Sequence, residues 1–279
     1  YELDKKPGGN PGFLFSFFME SFMEHDFTSG SVWKKLLLFA VPIFGANLLQ
    51  ALYGTVDLFV VGLFADASAV SAVSTGSMTM QTITGIITGL TMGCTVLLGQ
   101  NIGKKDEAAA ERTVGSALWL FVTVGILLAV IVAVLAVGIA SVINAPAEAF
   151  SQTTDYIRIC GIGIICIVMF NAIGGMFRGL GDARTPLALM GVACVVNIAG
   201  DFALVGALKM GVAGAALATV AVQGILSTFL VRIPVSYAMS KVSGVTLFQI
   251  GFATPLATVF GLILSASCVI YYERKRKKA

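Results

Sequence analysis

Two acidic side chains are unusual among the fifteen Asp and Glu residues of this chain, because they lie deep inside long apolar stretches. They are Asp57 and Asp201, and each is accompanied by amides at helical spacing. A carboxylate in the hydrocarbon region of a membrane is costly, so such residues are rare and mark ion or substrate pathways. The two acids therefore predict a functional site inside a membrane.

Other polar residues share a helical face with the first acid. Gln50, Gly54 and Asp57 follow one another at steps of four and three, which places them on one stripe. Asn47 and Tyr53 lie to either side of that stripe, where we expect them to line a cavity or a substrate path.

The second acid also has polar neighbours. Asn197 and Asp201 are four residues apart and so adjacent on a helix, while Asn171 and Thr219 lie in two further apolar stretches. Carboxylate, amide and hydroxyl oxygens are the hard ligands that small alkali cations prefer. The same carboxylates could instead take a proton, since burial disfavours the charged form. The predicted residues of a Na⁺ or H⁺ site are Gln50, Asp57, Asn171, Asn197, Asp201 and Thr219, with Na⁺ itself at Asp57, Asn197, Asp201 and Thr219.

A plainer interpretation remains open for the amides and hydroxyls. Polar side chains often form hydrogen bonds between membrane helices, each contributing about 1 kcal/mol to their association. Taken singly, Asn47, Asn171 and Thr219 fit that structural role better than an ion site, whereas the cost of a buried charge favours a functional role for the two aspartates.

Composition excludes the soluble classes of protein. Hydrophobic residues make up 57% of the chain and charged residues only 12%, and the mean hydropathy is +0.91; soluble domains carry about 25% charged residues. The net charge of +3 does not indicate nucleic-acid binding, because the Lys and Arg residues lie between apolar stretches and in the basic run 274–278. That placement is typical of topology control and of contact with lipid headgroups in the bilayer.

The elements that must position the acids are membrane helices. Seven apolar stretches are long enough to cross about 30 Å of hydrocarbon and too long for barrel strands. The sequence therefore predicts an all-α integral membrane protein with a six-helix lobe and one further C-terminal helix. The stretches cover residues 36–64, 69–99, 114–143, 157–177, 186–208, 211–231 and 245–272.

The loops between these stretches alternate in charge. Basic loops carry Lys104, Lys105 and Arg178, while the alternate loops are acidic or nearly neutral. The positive-inside rule then places the N-terminus in the cytoplasm of a multi-pass protein of the plasma (inner) membrane. A seventh crossing would export the basic tail, which contradicts the rule that the first six spans obey.

No pattern typical of an enzyme or a cofactor site occurs in the sequence. All five cysteines lie in apolar segments without a metal-ligand spacing, and buried thiols usually act as small hydrophobic groups. The loop 177–186 is not a nucleotide-binding loop, because it follows a membrane helix; its glycines favour a tight turn, Thr185 is suited to cap the next helix and Pro186 to open it. We therefore expect no enzymatic activity and no cofactor other than a coupling ion.

The chain resembles the multidrug and toxic compound extrusion (MATE) transporters through four segments. They are VPIFGANLLQALYGTVDLFVVG (41–62), GQNIGKKDEAA (99–109), FRGLGDARTP (177–186) and NIAGDFALVGALKMGVAGAALAT (197–219). The resemblance implies efflux of small organic cations and other drugs in exchange for Na⁺ or H⁺, with coupling-ion roles for the residues selected above. It also implies that aromatic and Met side chains facing a cleft bind the drug.

The resemblance divides the chain into three parts. Residues 1–22 precede the family-like region and are expected to be a disordered extension, 23–220 form the N-terminal lobe, and 221–279 resemble the last two helices of the second lobe. About four helices of a two-lobe transporter would then be missing, which would account for the sidedness of the tail. The alternatives are a non-transporting remnant, which could associate with another copy of the chain, and a lipid-linked precursor flippase. The flippase is disfavoured because its central spans should carry more basic residues to hold a pyrophosphate.

Overall fold

The computed structural model describes residues 31–224, so the predicted extension 1–22 and the seventh apolar stretch lie outside the described residues. The described part is helical throughout and contains no strand, which confirms the predicted all-α membrane class. Its elements are α1 (Val32–Phe64), α2 (Ala67–Gly103), α3 (Glu107–Val142), α4 (Phe150–Ile162), α5 (Ile164–Gly179), α6 (Arg184–Asp201), a π-helical segment (Phe202–Ala207) and α7 (Gly211–Gly224).

Four of these elements are long and apolar enough to cross a membrane: α1, α2, α3 and the continuous segment Arg184–Ala207. Helices α4 and α5 pass the same test only as a pair. Helix α7 opens the sixth predicted stretch, whose end at 225–231 lies outside the described residues. The outer surface of the bundle is rich in exposed apolar side chains such as Trp33, Phe44 and Trp119, as lipid contact requires.

The fourth predicted span is not one straight helix. Its two halves, α4 and α5, meet at Gly163 with a bend of 54°. A Cβ at Gly163 would collide with the side chain of Val220 in α7. The bend brings Gly163 close to α7, where only glycine fits. Helical periodicity does not reveal this contact, because the two residues are far apart in the chain.

Replacing Gly163 by Ala should destabilise the protein by about 1–3 kcal/mol, the usual cost of overpacking a filled site. The β-branched side chain of Val220 is stiff and cannot easily move away. The measurement is the thermal unfolding of the purified variant in detergent. Gly138→Ala is the matched control, since a Cβ there meets open space. The double variant Gly163→Ala/Val220→Ala should recover most of the loss; equal stability of the Gly163→Ala and Gly138→Ala variants would contradict the contact.

Helix α5 lies directly against α2 through two glycines one turn apart, Gly175 and Gly179. A Cβ at Gly175 would collide with Thr91, and one at Gly179 would lie 2.9 Å from the carbonyl oxygen of Thr95. The Thr95 hydroxyl also donates to the carbonyl oxygen of Gly175 at 2.9 Å. Small residues spaced by four allow such close approach of membrane helices, so this contact fixes α5 against α2.

The turn between α5 and α6 differs in two respects from the sequence prediction, which are the residue that caps α6 and the position of Pro186, the third residue of that helix rather than its first. Gly181 has a φ of 87°, which confirms the need for glycine in a tight turn. The cap of α6 is Asp182, whose Oδ1 accepts the backbone N–H groups of Arg184 and Thr185 at 2.9 and 3.0 Å. The prediction that Thr185 caps this helix was wrong, because the aspartate two residues before the first helical residue, Arg184, already satisfies the free N–H groups of the first turn.

Candidate ion-binding site

The fold brings the two membrane acids together. Helices α1 and α6 pack against each other, and the carboxyl groups of Asp57 and Asp201 become direct neighbours. Asp57 is 4% exposed and Asp201 is 0% exposed. Among the side chains that the structure describes within residues 31–224, no other Asp or Glu is buried.

Both acids have unsatisfied oxygen atoms. Within the described residues, Oδ1 of Asp57 and both carboxyl oxygens of Asp201 lack a hydrogen-bond partner. Buried polar groups are normally hydrogen-bonded and buried charges are normally paired. Two adjacent carboxylates in this situation repel each other unless a cation or a proton lies between them. The pair of carboxyl groups therefore favours binding of one small cation or one proton.

An amide and a hydroxyl complete the group. The Thr219 hydroxyl of α7 donates to Oδ2 of Asp57 over 3.4 Å. Asn197 of α6 is 2% exposed, and neither atom of its amide has a partner among the described residues. Two carboxylates, an amide and a hydroxyl thus meet where three helices converge, and their oxygens suit a hard monovalent cation. Among the described residues, no cluster of three or more His, Cys, Asp or Glu side chains could hold a metal ion.

The backbone changes its winding directly beyond Asp201. Residues Phe202–Ala207 form a π-helix, and two residues with positive φ, Lys209 and Gly211, follow it before and at the start of α7. Gly214 of α7 lies against it, since a Cβ there would be 3.0 Å from the carbonyl carbon of Leu204. Short π-helical turns frequently occur at functional sites, and this one sets the direction in which α6 leaves the acids.

A cleft opens beside the acids. Its volume is about 290 Å³ when the space open to solvent is included, and the enclosed part has room for about one water molecule. It contains the amide of Asn197 and the hydroxyl of Thr219, so the ion-binding group forms part of its wall. The other lining residues are Tyr53, Phe170, Met190, Ala193, Val222 and Gln223.

The structure does not bring every predicted residue to the acids. Tyr53 lines the cleft together with Gln223, and its side chain lies close to that of Gln50; Gln50 itself is absent from the lining of the cleft. The Asn171 amide donates to the carbonyl oxygen of Ile167 at 2.8 Å, within its own helix. Asn47 lies on an exposed part of α1 and is absent from the lining of the cleft.

Sequence reasoning missed two groups near the site. Gln223 lies four residues after Thr219, and that spacing could have identified it. Tyr156 is buried, its hydroxyl lies 3.0 Å from that of Ser77, and it approaches closely enough to Asp57 to interact electrostatically. It lies one residue before the predicted fourth span, outside the apolar stretches in which a polar side chain indicates an intramembrane site.

A bundle of membrane helices with buried acids beside an apolar cleft is typical of membrane transporters. The MatE family model matches residues 42–203, more than half of the chain. The chain belongs to the MATE family of transporters.

Relatives with curated names agree with that assignment. The probable multidrug resistance protein YpnP of Bacillus subtilis is 30% identical over 201 residues, which are 72% of this chain and 45% of that protein. The multidrug export protein MepA of Staphylococcus saprophyticus is 22% identical over 254 residues, 86% of this chain and 56% of that protein. The chain spans about half the length of the curated relatives it matches.

Solved structures share the fold. A MOP superfamily transporter from Pyrococcus furiosus superposes with a TM-score of 0.70 at 22% identity, over 94% of this chain and 56% of that one. An outward-facing multidrug resistance MATE family transporter superposes with a TM-score of 0.68 at 22% identity, over 95% of this chain and 56% of that one. At such identities the likeness concerns the fold alone.

Proposed function

We propose that this chain serves cation-coupled multidrug efflux, and that the group formed by Asp57, Asn197, Asp201 and Thr219 binds the coupling ion, Na⁺ or H⁺. The observation that carries the proposal is the pair of adjacent buried carboxyl groups, whose unsatisfied oxygens need a positive partner. No Lys or Arg forms an ion pair with either acid within residues 31–224, so a small cation from solution is the natural partner.

The neighbouring cleft supports a role in drug binding. Tyr53 and Phe170 offer aromatic rings, and Met190 adds a flexible, polarisable side chain. These groups bind flat organic cations through cation–π and dispersion contacts. Because Asn197 and Thr219 belong to both the cleft and the ion group, binding of the ion should alter the cleft wall, which is the coupling that antiport requires.

Transport also needs a second wall that moves relative to the lobe. Secondary transporters alternate access by rocking one repeat or bundle against another around a central site. The cleft, at about 290 Å³ including the space open to solvent, is small for a drug site. We propose that a partner lobe, either a second copy of the chain or another polypeptide segment, completes it.

A second candidate function is that of a non-transporting remnant, which would retain the ion site without moving a drug. The observation that favours it is the small size of the cleft, about 290 Å³ even when the space open to solvent is included. The flippase alternative is less favoured, because no basic side chain lines the cleft among the described residues.

Dye efflux distinguishes the two leading candidates. Membrane vesicles containing the chain should expel a fluorescent organic cation when a Na⁺ gradient or a pH gradient is imposed, and collapse of the effective gradient should return the rate to that of vesicles without the chain. The gradient that drives efflux identifies the coupling ion. Absence of driven efflux, combined with retained cation binding by the purified protein, would establish the remnant instead.

A further inference from the structure

A half-buried arginine lies at the end of the bundle farthest from the π-helical segment. Arg178 belongs to the last turn of α5. Its Nη1 lies 3.6 Å from the position that a Cβ on Gly174 would occupy. The side chain therefore folds back by one helical turn, and the guanidinium lies beside this glycine.

This guanidinium has no acidic partner in the described part of the chain. The acid closest in sequence is Asp182, whose Oδ1 is already engaged by the backbone N–H groups of Arg184 and Thr185. A guanidinium presents five N–H donors and cannot lose its charge in a protein. When such a group is withdrawn from water, it is stable only if anionic or polar oxygens surround it.

Additional cations lie at the same end of the molecule. Gly99 and Gly179 are in close contact, so the turn after α2 lies beside the turn after α5. The first of these turns exposes Lys104 and Lys105, and the second leads to the exposed Arg184. The acid in the first turn, Asp106, caps α3 by accepting the backbone N–H of Ala109 at 2.9 Å. This end of the bundle therefore places Lys104, Lys105 and Arg184 near Arg178, while its acids include Glu107 and Glu111 at the start of α3.

We propose that Arg178 binds the phosphate of an anionic phospholipid, with Lys104, Lys105 and Arg184 adding longer-range attraction. The position at the end of membrane-crossing helices is the depth at which headgroup phosphates lie. Guanidinium binds phosphate oxygens through two parallel hydrogen bonds, and basic pockets between membrane helices are typical sites for anionic headgroups. The site is separate from the acids, since it lies at the opposite end of α6 from Asp201.

Native mass spectrometry of the purified chain tests this proposal directly. Phosphatidylglycerol should be retained more tightly than phosphatidylcholine, and Arg178→Gln should weaken that retention about fivefold, the usual effect of one cation at a membrane surface. Arg178→Lys should give an intermediate result, because it keeps the charge but loses the paired hydrogen bonds. The matched control is Lys209→Gln, which removes one cation from the other end of the bundle and should leave retention unchanged.

Three outcomes would overturn the proposal. The first is equal retention of the two lipids by the unaltered chain. The second is an equal loss of retention in Arg178→Gln and Lys209→Gln, which would indicate only a general attraction of the positive charge. The third is displacement of the lipid by millimolar inorganic phosphate, which would identify free phosphate as the ligand. Where Arg178→Gln fails to fold, the lipid preference of the unaltered chain and the Arg178→Lys variant decide the matter.

Discussion

Asp57→Asn and Asp201→Asn should each weaken binding of the coupling cation by about a thousandfold. Each substitution removes one negative charge next to the ion while keeping the size of the side chain. An interaction between unit charges about 4 Å apart is worth about 4 kcal/mol at the effective dielectric constant of partly buried sites, and every 1.4 kcal/mol is tenfold. Cation-driven dye efflux should fall to background in both variants.

The measurement is cation binding by the purified protein, followed as the Na⁺-dependent rise in its unfolding temperature. A ligand that binds only the folded state stabilises it in proportion to the logarithm of its concentration. The unaltered chain should show that rise, and both variants should lose it. The matched control is Asp66→Asn, since Asp66 is an exposed acid in the turn between α1 and α2 and should behave like the unaltered chain.

The same variants also discriminate between the two coupling ions. If the ion is H⁺, the unaltered chain shows no Na⁺ effect, efflux follows the pH gradient, and the Asn variants resemble a permanently protonated acid that cannot release its proton. Gradient-driven efflux that survives both substitutions would exclude this site from coupling.

Gly175→Ala should have the largest effect on stability, about 1–3 kcal/mol or more. The added methyl group would collide with Cγ2 of Thr91 and lie 3.0 Å from Oγ1 of Thr95. It would separate α5 from α2 and stretch the hydrogen bond from Thr95 to the carbonyl oxygen of Gly175. Thermal unfolding of the purified variant in detergent measures the loss.

The neighbouring glycine provides the control for this prediction. A Cβ at Gly174 meets Arg178 at an ordinary contact distance of 3.6 Å, so Gly174→Ala should be nearly neutral although it lies next to Gly175 in the same helix. Thr91→Ser removes the obstructing methyl group, and combined with Gly175→Ala it should restore part of the stability. Alanine favours a helix more than glycine does, so equal losses for the two glycine variants would show that the contact with α2 does not determine the effect.

Much of the fold could be predicted from local sequence. The apolar stretches correctly located α1, α2, α3 and α6, because the length of hydrocarbon to be crossed imposes a run of apolar residues on each helix. Local spacing also identified Asp201 and Asn197 as neighbours on one face. Local spacing did not predict the bend between α4 and α5, because the contact of Gly163 with Val220 joins residues far apart in the chain.

The sequence by itself determined that this protein lies in a membrane and that Asp57 and Asp201 are its exceptional residues, because the cost of placing charge in hydrocarbon depends on the residue and its immediate surroundings. Only the tertiary structure decided that the two carboxyl groups are direct neighbours, that Thr219 contacts Asp57, and that Asn171 bonds to its own helix instead. Those outcomes depend on the packing of α1, α6 and α7. Helical periodicity specifies which face of each helix is polar, but the close contacts at small residues such as Gly200 and Gly214 determine which faces meet.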